Sequence, residues 1–176
     1  MKIKKISNNA GISLIEIVVA ITIITVGMIG VISLVVQNAR AQYINKNVLI
    51  ASGLAQEGLE LARNIRDNNW LTPGNSWKTG AAPGSASDLV QDGDYRIDYN
   101  RDIIDVDDIN AARLYINGAG FYTHAVTATP TNFYRLITVT DTGDYLDISA
   151  AILWLDGTQQ HNYGARTYLY DWRAGQ

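Results

Sequence analysis

The most constraining feature of the sequence is an apolar run of twenty-five residues near its start, from Ile12 to Val36. Ile, Val, Leu, Met, Ala and Gly dominate this run, and Glu16 is its only charged residue. At about 1.5 Å per residue, a helix of this length covers the roughly 30 Å hydrocarbon core of a bilayer with some length left for tilt. The run therefore predicts a membrane-spanning helix, and no other stretch of the sequence has this length and composition.

The single acid in this run requires an explanation, because a carboxylate in hydrocarbon costs on the order of 2.5–3.5 kcal/mol and persists only where it has a use. Glu16 lies five residues after Gly11, and the short leader before that glycine is polar and basic through Lys2, Lys4 and Lys5. These features form a motif only in a fixed order: first a basic leader, then a glycine, then an apolar helix with one early glutamate.

Two other interpretations explain less of this region. A secretory signal peptide has an apolar core of about 7–15 residues with a cleavage site after it. Here the core is longer, and Gly11 precedes it. An ordinary single-pass anchor explains the length of the run but explains neither Gly11 nor Glu16.

The segment Gly11-Ile-Ser-Leu-Ile-Glu16 resembles the processing site of type IV prepilins and type II secretion pseudopilins. The resemblance implies that a prepilin peptidase cuts after Gly11, and that Ile12 becomes the new N-terminus and is N-methylated by the same enzyme. It also implies that Glu16 is the family's assembly glutamate, and that other pilin subunits and a membrane assembly machinery are the partners. Tip subunits in these systems tend to lack the glutamate, so its presence argues against a tip position.

Glu16 also has a chemical rationale that is independent of the family. Cleavage after Gly11 leaves a cationic amine on Ile12, and an unpaired charge in apolar surroundings is very costly. Residues four apart lie on the same helix face, so Glu16 is placed to offset the amine of its own chain. In a packed array of helices the carboxylate reaches the amine of a neighbour instead, so only correctly staggered subunits neutralise both charges.

Charge and composition narrow the location and the partners. The lysines of the leader predict a cytoplasmic N-terminus and an extracytoplasmic C-terminal domain. Loss of the leader removes three lysines and no acid, which takes the formal net charge from −3 to −6. This charge argues against a nucleic-acid-binding surface, which needs clustered Lys and Arg. The chain has no cysteine, so the domain depends on packing rather than on a disulfide.

The helical pattern continues beyond Val36 and becomes amphipathic. Small and apolar residues recur in steps of three and four, and most charged residues fall off this stripe. The stripe comprises Ile44, Val48, Ala51, Ala55, Gly58, Ala62 and Ile65, and the charged residues are Lys46, Glu57, Glu60, Arg63 and Arg66. We expect one continuous helix that ends at Asp67, Asn68 and Asn69.

The stretch from Leu71 to Asp88 is predicted to be an irregular connection, because it is rich in Gly, Pro, Ser and Thr and contains the turn pairs Pro73-Gly74 and Pro83-Gly84. Trp70 and Trp77 are its large apolar residues. We expect them to pack back on the helix, with a contact to a neighbouring subunit as the alternative.

From Tyr95 onward, apolar and polar residues alternate as in β-strands. The expected strands are Tyr95 to Asn100, Leu114 to Ile116, Phe133 to Thr140, Tyr145 to Leu155 and Ala165 to Trp172, with turns at Asn117-Gly118 and Asp156-Gly157. The apolar face of the fourth strand should lie on the helix, which makes an α+β arrangement of a long helix and an antiparallel sheet. This is the pilin fold that the resemblance implies, and the sheet segments themselves resemble those of PilV-like minor pilins.

Two acidic clusters and two histidines are the remaining candidates for chemistry. The clusters, which are Asp102, Asp105, Asp107 and Asp108 and then Asp141, Asp144 and Asp147, lack the EF-hand spacing. Solvated acidic loops are favoured, and a calcium site of the kind that some pseudopilins hold in a loop is the alternative. His124 and His161 stand alone, so we expect neither a zinc site nor a nucleophile–base pair. The chain is not expected to be an enzyme or to hold a cofactor.

The sequence thus predicts a structural prepilin, of the minor-pilin kind, that waits in the membrane and is then assembled into a type IV pilus or pseudopilus. Residues 1–11 form the leader, 12–36 the transmembrane or filament-core helix, 37–67 its amphipathic continuation, 68–94 an irregular loop and 95–176 the antiparallel sheet domain. Two alternatives stay open. One is a membrane-anchored extracytoplasmic binding or sensor domain that does not polymerise, and the other is a hydrolase built on the acidic clusters.

Overall fold

A computed structural model describes residues 11, 13–79, 92–100 and 102–173 of the chain. These residues form one α-helix, α1 (Leu14–Leu71), and seven strands. The strands are β1 (Gly93–Ile97), β2 (Ile103–Asp105), β3 (Arg113–Ile116), β4 (Tyr122–Thr123), β5 (Thr129–Asp141), β6 (Tyr145–Asp156) and β7 (Gln159–Tyr170), with a 3₁₀ helix at Ile109–Ala111. The chain divides into two compact units, Met1–Lys46 and Asn47–Gln176.

The second unit contains one antiparallel sheet organised around β5. One edge of β5 pairs with β6, from Phe133 opposite Trp154 to Asp141 opposite Leu146. The other edge is shared, because β1 pairs near the end of β5 and β3 pairs near its start. β2 and β4 extend these two branches, and β7 pairs with β6 along its whole length.

The core of this unit lies between the sheet and the part of α1 that belongs to the unit. The predicted apolar face of β6 is fully inside, with each of its residues at most 2% exposed: Leu146, Ile148, Ala150, Ile152 and Trp154. The helix contributes small residues to the same cluster, among them Ala51, Ala55 and Ala62. Burial of a large apolar side chain contributes roughly 1.5–3 kcal/mol, so this interface accounts for much of the stability of the unit. The α+β prediction is confirmed.

The buried stripe of the helix differs in part from the predicted stripe. Ile44 and Val48 are exposed, whereas Leu54 and Leu59 join the core. Arg66 was expected among the solvent-facing charges but is only 8% exposed. Its guanidinium lies 4.6 Å from the ring centroid of Trp70, and its Nη2 is 2.8 Å from a carboxylate oxygen of Asp67. Contacts with an aromatic face and an acid therefore offset the cost of burying this charge.

The helix ends two residues beyond the predicted stop. Asp67, Asn68 and Asn69 lie inside α1, and the amide of Thr72 closes the last turn by donating to the carbonyl oxygens of Asn68 and Asn69. Pro73 follows at once, and a residue before proline is driven out of the helical region, so proline sets the end of α1. Pro83-Gly84 lies outside the described residues.

The last strand is longer than predicted and starts earlier. β7 begins at Gln159 because a two-residue turn, Gly157-Thr158, returns the chain directly from β6. Gly157 has a φ of +59°, a left-handed conformation that glycine adopts without strain. The predicted turn after Leu114–Ile116 is also present: the Asn117 side chain accepts hydrogen bonds from the amides of Ala119 and Phe121.

Candidate functional site at the start of the helix

The first turn of α1 carries the predicted assembly residue. The carbonyl oxygen of Ser13 accepts hydrogen bonds from the amides of Glu16 at 3.0 Å and Ile17 at 3.2 Å, which starts the helix. Glu16 is the acid of this first turn, where the helix dipole favours a negative charge. Its side chain is exposed, and so is Gly11, which precedes the helix. Ile12, the predicted new N-terminus, lies outside the described residues.

The surface that follows is apolar on every side. All large apolar residues from Leu14 to Val36 are exposed, at 47% or more. This apolar part of α1 lies entirely on the surface, and α1 is long and apolar enough to cross a membrane. Such a surface is costly in water and requires either lipid or other apolar helices around it.

The two threonine hydroxyls within this surface are satisfied by the helix itself. Thr22 Oγ1 donates to the Val18 carbonyl oxygen at 2.8 Å, and Thr25 Oγ1 donates to the Ile21 carbonyl oxygen at 2.7 Å. Because these groups already have partners, they add little to the cost of placing the helix in an apolar medium. Glu16 is then the only charge on the surface that an assembly or a membrane must accommodate.

Three of the seven aspartates in the acidic clusters are engaged in other interactions. Asp108 caps the 3₁₀ helix by accepting a hydrogen bond from the Asn110 amide. Asp141 pairs with Lys78 at 2.6 Å, and this hydrogen bond lowers the pKa of the Asp141 carboxyl. Asp147 pairs with Arg166, which likewise lowers its pKa. Among the described residues, no group of three or more His, Cys, Asp or Glu side chains is arranged to hold a metal ion.

The two histidines occupy structural positions. His124 is buried, and its Nδ1 lies 3.0 Å from the carbonyl oxygen of Arg113, so Nδ1 is the donor and Nε2 carries the lone pair. Burial lowers the pKa of His124 to about 4, and the charge of Arg135 adds to this effect. His161 stacks on Trp154 at 5.3 Å between ring centroids.

Two features of the second unit were missed by the sequence analysis. Arg135 lies on the inward face of β5 and is fully buried. Its Nη1 is 3.0 Å from Glu57 Oε1, and its Nη2 donates to the Ile97 carbonyl oxygen at 2.9 Å. The alternation of residues along β5 indicated this inward position, because Arg135 lies on the same face of the strand as the apolar residues Phe133 and Ile137. The second feature is a group of tryptophans. Trp77 packs against the core as predicted, but Trp70 also stacks on Trp77 and meets Trp172 edge to face, contacts that the sequence analysis did not predict.

Comparison with protein families matches residues 6–32 to the family described as "Prokaryotic N-terminal methylation motif". No curated protein and no solved structure matches the chain. The matched residues include the uncharged end of the leader, Gly11, Ile12 and Glu16, and they extend through most of the exposed apolar surface. In general terms, the motif implies processing by a prepilin peptidase, anchoring in a membrane and assembly with other pilins. The motif overlaps the start of α1, and together with a long helix and an antiparallel sheet it supports a place for the chain in the superfamily of type IV pilins and type II secretion pseudopilins.

Proposed function

We propose that the chain is a prepilin whose mature form is a structural subunit, of the minor-pilin kind, of a type IV pilus or a type II secretion pseudopilus. The observation that carries this proposal is a methylation motif over residues 6–32 that overlaps the exposed apolar start of α1, with one acid in the first turn of the helix. In this proposal the chain is not an enzyme, and it requires no cofactor, metal or nucleic acid.

Maturation begins with cleavage after Gly11 by prepilin peptidase, which then methylates the amine of Ile12. The position of Gly11 supports this step, since the glycine is exposed and precedes the first residue of α1, Leu14. A peptide bond outside regular structure is accessible to a peptidase without unwinding of the helix. The N-terminus faces the cytoplasm, and the second unit lies outside the membrane.

Glu16 is proposed to pair with the N-terminal amine of a neighbouring subunit. A charge that leaves the lipid headgroup region is stable only if another group neutralises it. The pair forms only at one stagger between neighbouring helices, so Glu16 sets the register of the filament as well as reducing the cost of burial.

The subunit is proposed to exchange one apolar environment for another. Before assembly, lipid surrounds the exposed surface of Leu14 to Val36, and in the filament the helices of other subunits replace the lipid. This exchange does not expose the surface to water, so the assembled state is stable once formed. Extraction from the membrane needs energy from a separate assembly machinery.

The test is the substitution Glu16→Ala in cells that assemble filaments, with Thr25→Val as the matched control in the same exposed surface. We expect both variants to be inserted and cleaved as the wild type is. Glu16→Ala should remain in the membrane fraction, whereas Thr25→Val should enter the filament fraction. Filament incorporation of Glu16→Ala at the wild-type level would overturn the role of Glu16. Absence of the wild-type chain from filaments would favour the non-polymerising sensor domain.

A further inference from the structure

The part of α1 that follows the apolar run carries two cations without an acidic partner. Arg40 and Lys46 are both exposed, and neither forms an ion pair with a residue in the described part of the chain. The sequence gives the reason, because no acid lies between Glu16 and Glu57 and charges on a helix pair only three or four residues apart. The two cations therefore have no acidic partner along their own helix.

These cations share one side of the helix with an aromatic residue. Three residues turn an α-helix by about 300°, so Arg40, Tyr43 and Lys46 follow one another at about 60° around its axis. Tyr43 is 45% exposed. Tyr and Arg side chains are enriched where proteins contact one another. We call these three residues the cationic face of α1.

Negative charge is concentrated at an edge of the sheet in the second unit. β2 is the last strand of its branch, and among the described strands it pairs only with β1. Asp102 precedes β2, Asp105 ends it and Asp107 follows it, and all three are exposed. None of the three forms an ion pair within the described residues. We call these three residues the acidic edge.

The net charge of the chain makes the few free cations important for assembly. Loss of the leader leaves a formal net charge of −6, so identical subunits repel one another unless cations of one copy lie against acids of the next. Most cations of the described chain are already used within it. Those that pair with acids of the same chain are Arg63, Arg66, Lys78, Arg135 and Arg166. The cationic face is thus available to the acids of a neighbour.

We propose that the acidic edge of one copy of the chain docks on the cationic face of α1 in a second copy. The two surfaces are different, so each copy uses both at once. A contact of this head-to-tail kind continues from copy to copy, as a filament requires, instead of closing into a symmetric pair. The inference rests on the proposed function and goes beyond it, because a minor subunit need not have a copy of itself as its neighbour.

Each surface also has a simpler use, and these uses predict different results. Charged side chains keep an edge strand from pairing with other strands, and lysine serves this purpose at least as well as aspartate. Cations just outside an apolar helix bind the phosphates of anionic lipid headgroups. Neither use brings the acidic edge and the cationic face together. A measurement of their contact therefore separates docking from both.

The first test is zero-length crosslinking of isolated filaments with a water-soluble carbodiimide, which joins a lysine amine to a carboxylate only where the two touch. The chain without its leader has two lysines, Lys46 and Lys78, and Lys78 pairs with Asp141 of its own chain. We expect a covalent dimer of the chain in which mass spectrometry finds Lys46 joined to an aspartate of the acidic edge. Lys46→Gln should abolish this link, whereas the matched control Lys78→Gln should keep it.

The second test reverses the charges in cells that assemble filaments. Arg40→Glu with Lys46→Glu sets acids against acids, so the share of the chain in the filament fraction should fall by about tenfold. Asp105→Lys with Asp107→Lys should cause a similar loss, although lysine still protects the edge of the sheet. All four changes together should restore incorporation to within about threefold of the wild type, because opposite charges face each other again.

An acid outside the acidic edge provides the control for this second test. Asp144 is exposed in the turn between β5 and β6, and Asp144→Lys should enter filaments as the wild type does. Near-ultraviolet circular dichroism of the purified chains checks that each variant is folded. Asp107→Lys alone, which lies outside β2, decides the matter if the double change at the acidic edge does not fold.

Several results would overturn the docking contact while leaving the proposed function intact. They are filaments that contain the chain but give no dimer through Lys46, a Lys46 link to a different subunit, and no recovery in the variant with all four changes. Wild-type incorporation of folded variants of the acidic edge would also overturn it and would assign the cations to lipid headgroups. Absence of the wild-type chain from filaments would instead contradict the proposed function.

Discussion

Among individual residues, Arg135 most clearly links the helix to the sheet. It lies fully buried on β5, and its guanidinium contacts Glu57 of α1 and the carbonyl oxygen of Ile97 on β1. Three elements of the second unit therefore converge on one cation. A buried charge with a specific set of partners constrains how the elements pack, because any other arrangement leaves the charge unpaired.

Removal of the acid from this pair should be costly. Glu57→Ala leaves the buried guanidinium of Arg135 with neutral acceptors only. Because the Glu57 side chain is 38% exposed, water partly replaces its carboxylate, and we expect the free energy of unfolding to fall by about 2 kcal/mol. Denaturant unfolding of the full chain, followed by near-ultraviolet circular dichroism, measures this change. Glu60→Ala is the control, since Glu60 pairs with Arg63 on the surface of the same helix and should cost less than about 1 kcal/mol. Equal effects of the two substitutions would show that the pair of Glu57 with the buried Arg135 has no special role.

His124 should make the second unit sensitive to acid. Burial, with the charges of Arg135 and Arg96 added, lowers its pKa to about 4, although Asp98 and the Arg113 carbonyl act in the opposite direction. The unfolded chain binds a proton near pH 6.5, whereas the folded chain does not until about pH 4. The folded state is thus favoured in full above pH 6.5, and the free energy of unfolding falls by about 3 kcal/mol as the pH drops to 4.

The substitution His124→Asn tests this dependence. The Asn amide keeps a donor near the position of Nδ1 but does not titrate, so the variant should lose less stability than the wild type between pH 6.5 and 4. The comparison uses the slope of unfolding free energy against pH, because loss of the ring also changes the packing at every pH. Equal slopes of unfolding free energy against pH in the wild type and in His124→Asn would contradict the assignment of this pH dependence to His124.

Among the elements, α1 depends on close approach to the sheet at Gly58. A Cβ atom added there would lie 2.6 Å from Ile137 Cδ1 and 3.2 Å from Arg135 Cδ. Gly53, one and a half turns earlier, is exposed and has no heavy atom within 4 Å of an added Cβ. The two glycines therefore separate the effect of packing from the effect of helix propensity.

Alanine at these two positions should change stability in opposite directions. Gly53→Ala should stabilise the unit by about 0.5–1 kcal/mol through helix propensity. Gly58→Ala gains the same propensity but forces Ile137 and Arg135 to move within a packed core, so we expect a net loss of about 1 kcal/mol or more. Thermal unfolding of both variants gives the comparison. A stabilising Gly58→Ala would mean that the helix and sheet do not approach as closely as the structure shows.

The elements also show what sequence patterns are able to predict. The apolar alternation of β6 identified its buried face because period-two patterns depend on local geometry alone. The start of β7 was misplaced because its polar residues, from Gln159 to Asn162, lie on a sheet edge where burial does not select apolar side chains. The end of α1 was placed too early, since Asn and Asp are common helix stops but Pro73 is the actual one.

Within the whole molecule, the sequence predicts the N-terminal segment best, and this is the segment with the least tertiary structure. The motif at Gly11 and Glu16 is a linear pattern, so the sequence alone was enough to identify it. The contact of Trp70 with Trp172 and the pair of Arg135 with Glu57 join residues from distant segments. No local pattern predicts such meetings, because the packing of the sheet on the helix decides them.

The central claim about the whole molecule is that its N-terminus is created by cleavage. The direct measurement is the intact mass, with fragmentation of the N-terminal peptide, of the chain produced in cells that contain a prepilin peptidase. We expect a mature chain that lacks Met1 to Gly11 and begins at Ile12 with one methyl group on its amine. A chain that still begins at Met1 in those cells, with its three leader lysines in place, would contradict the account.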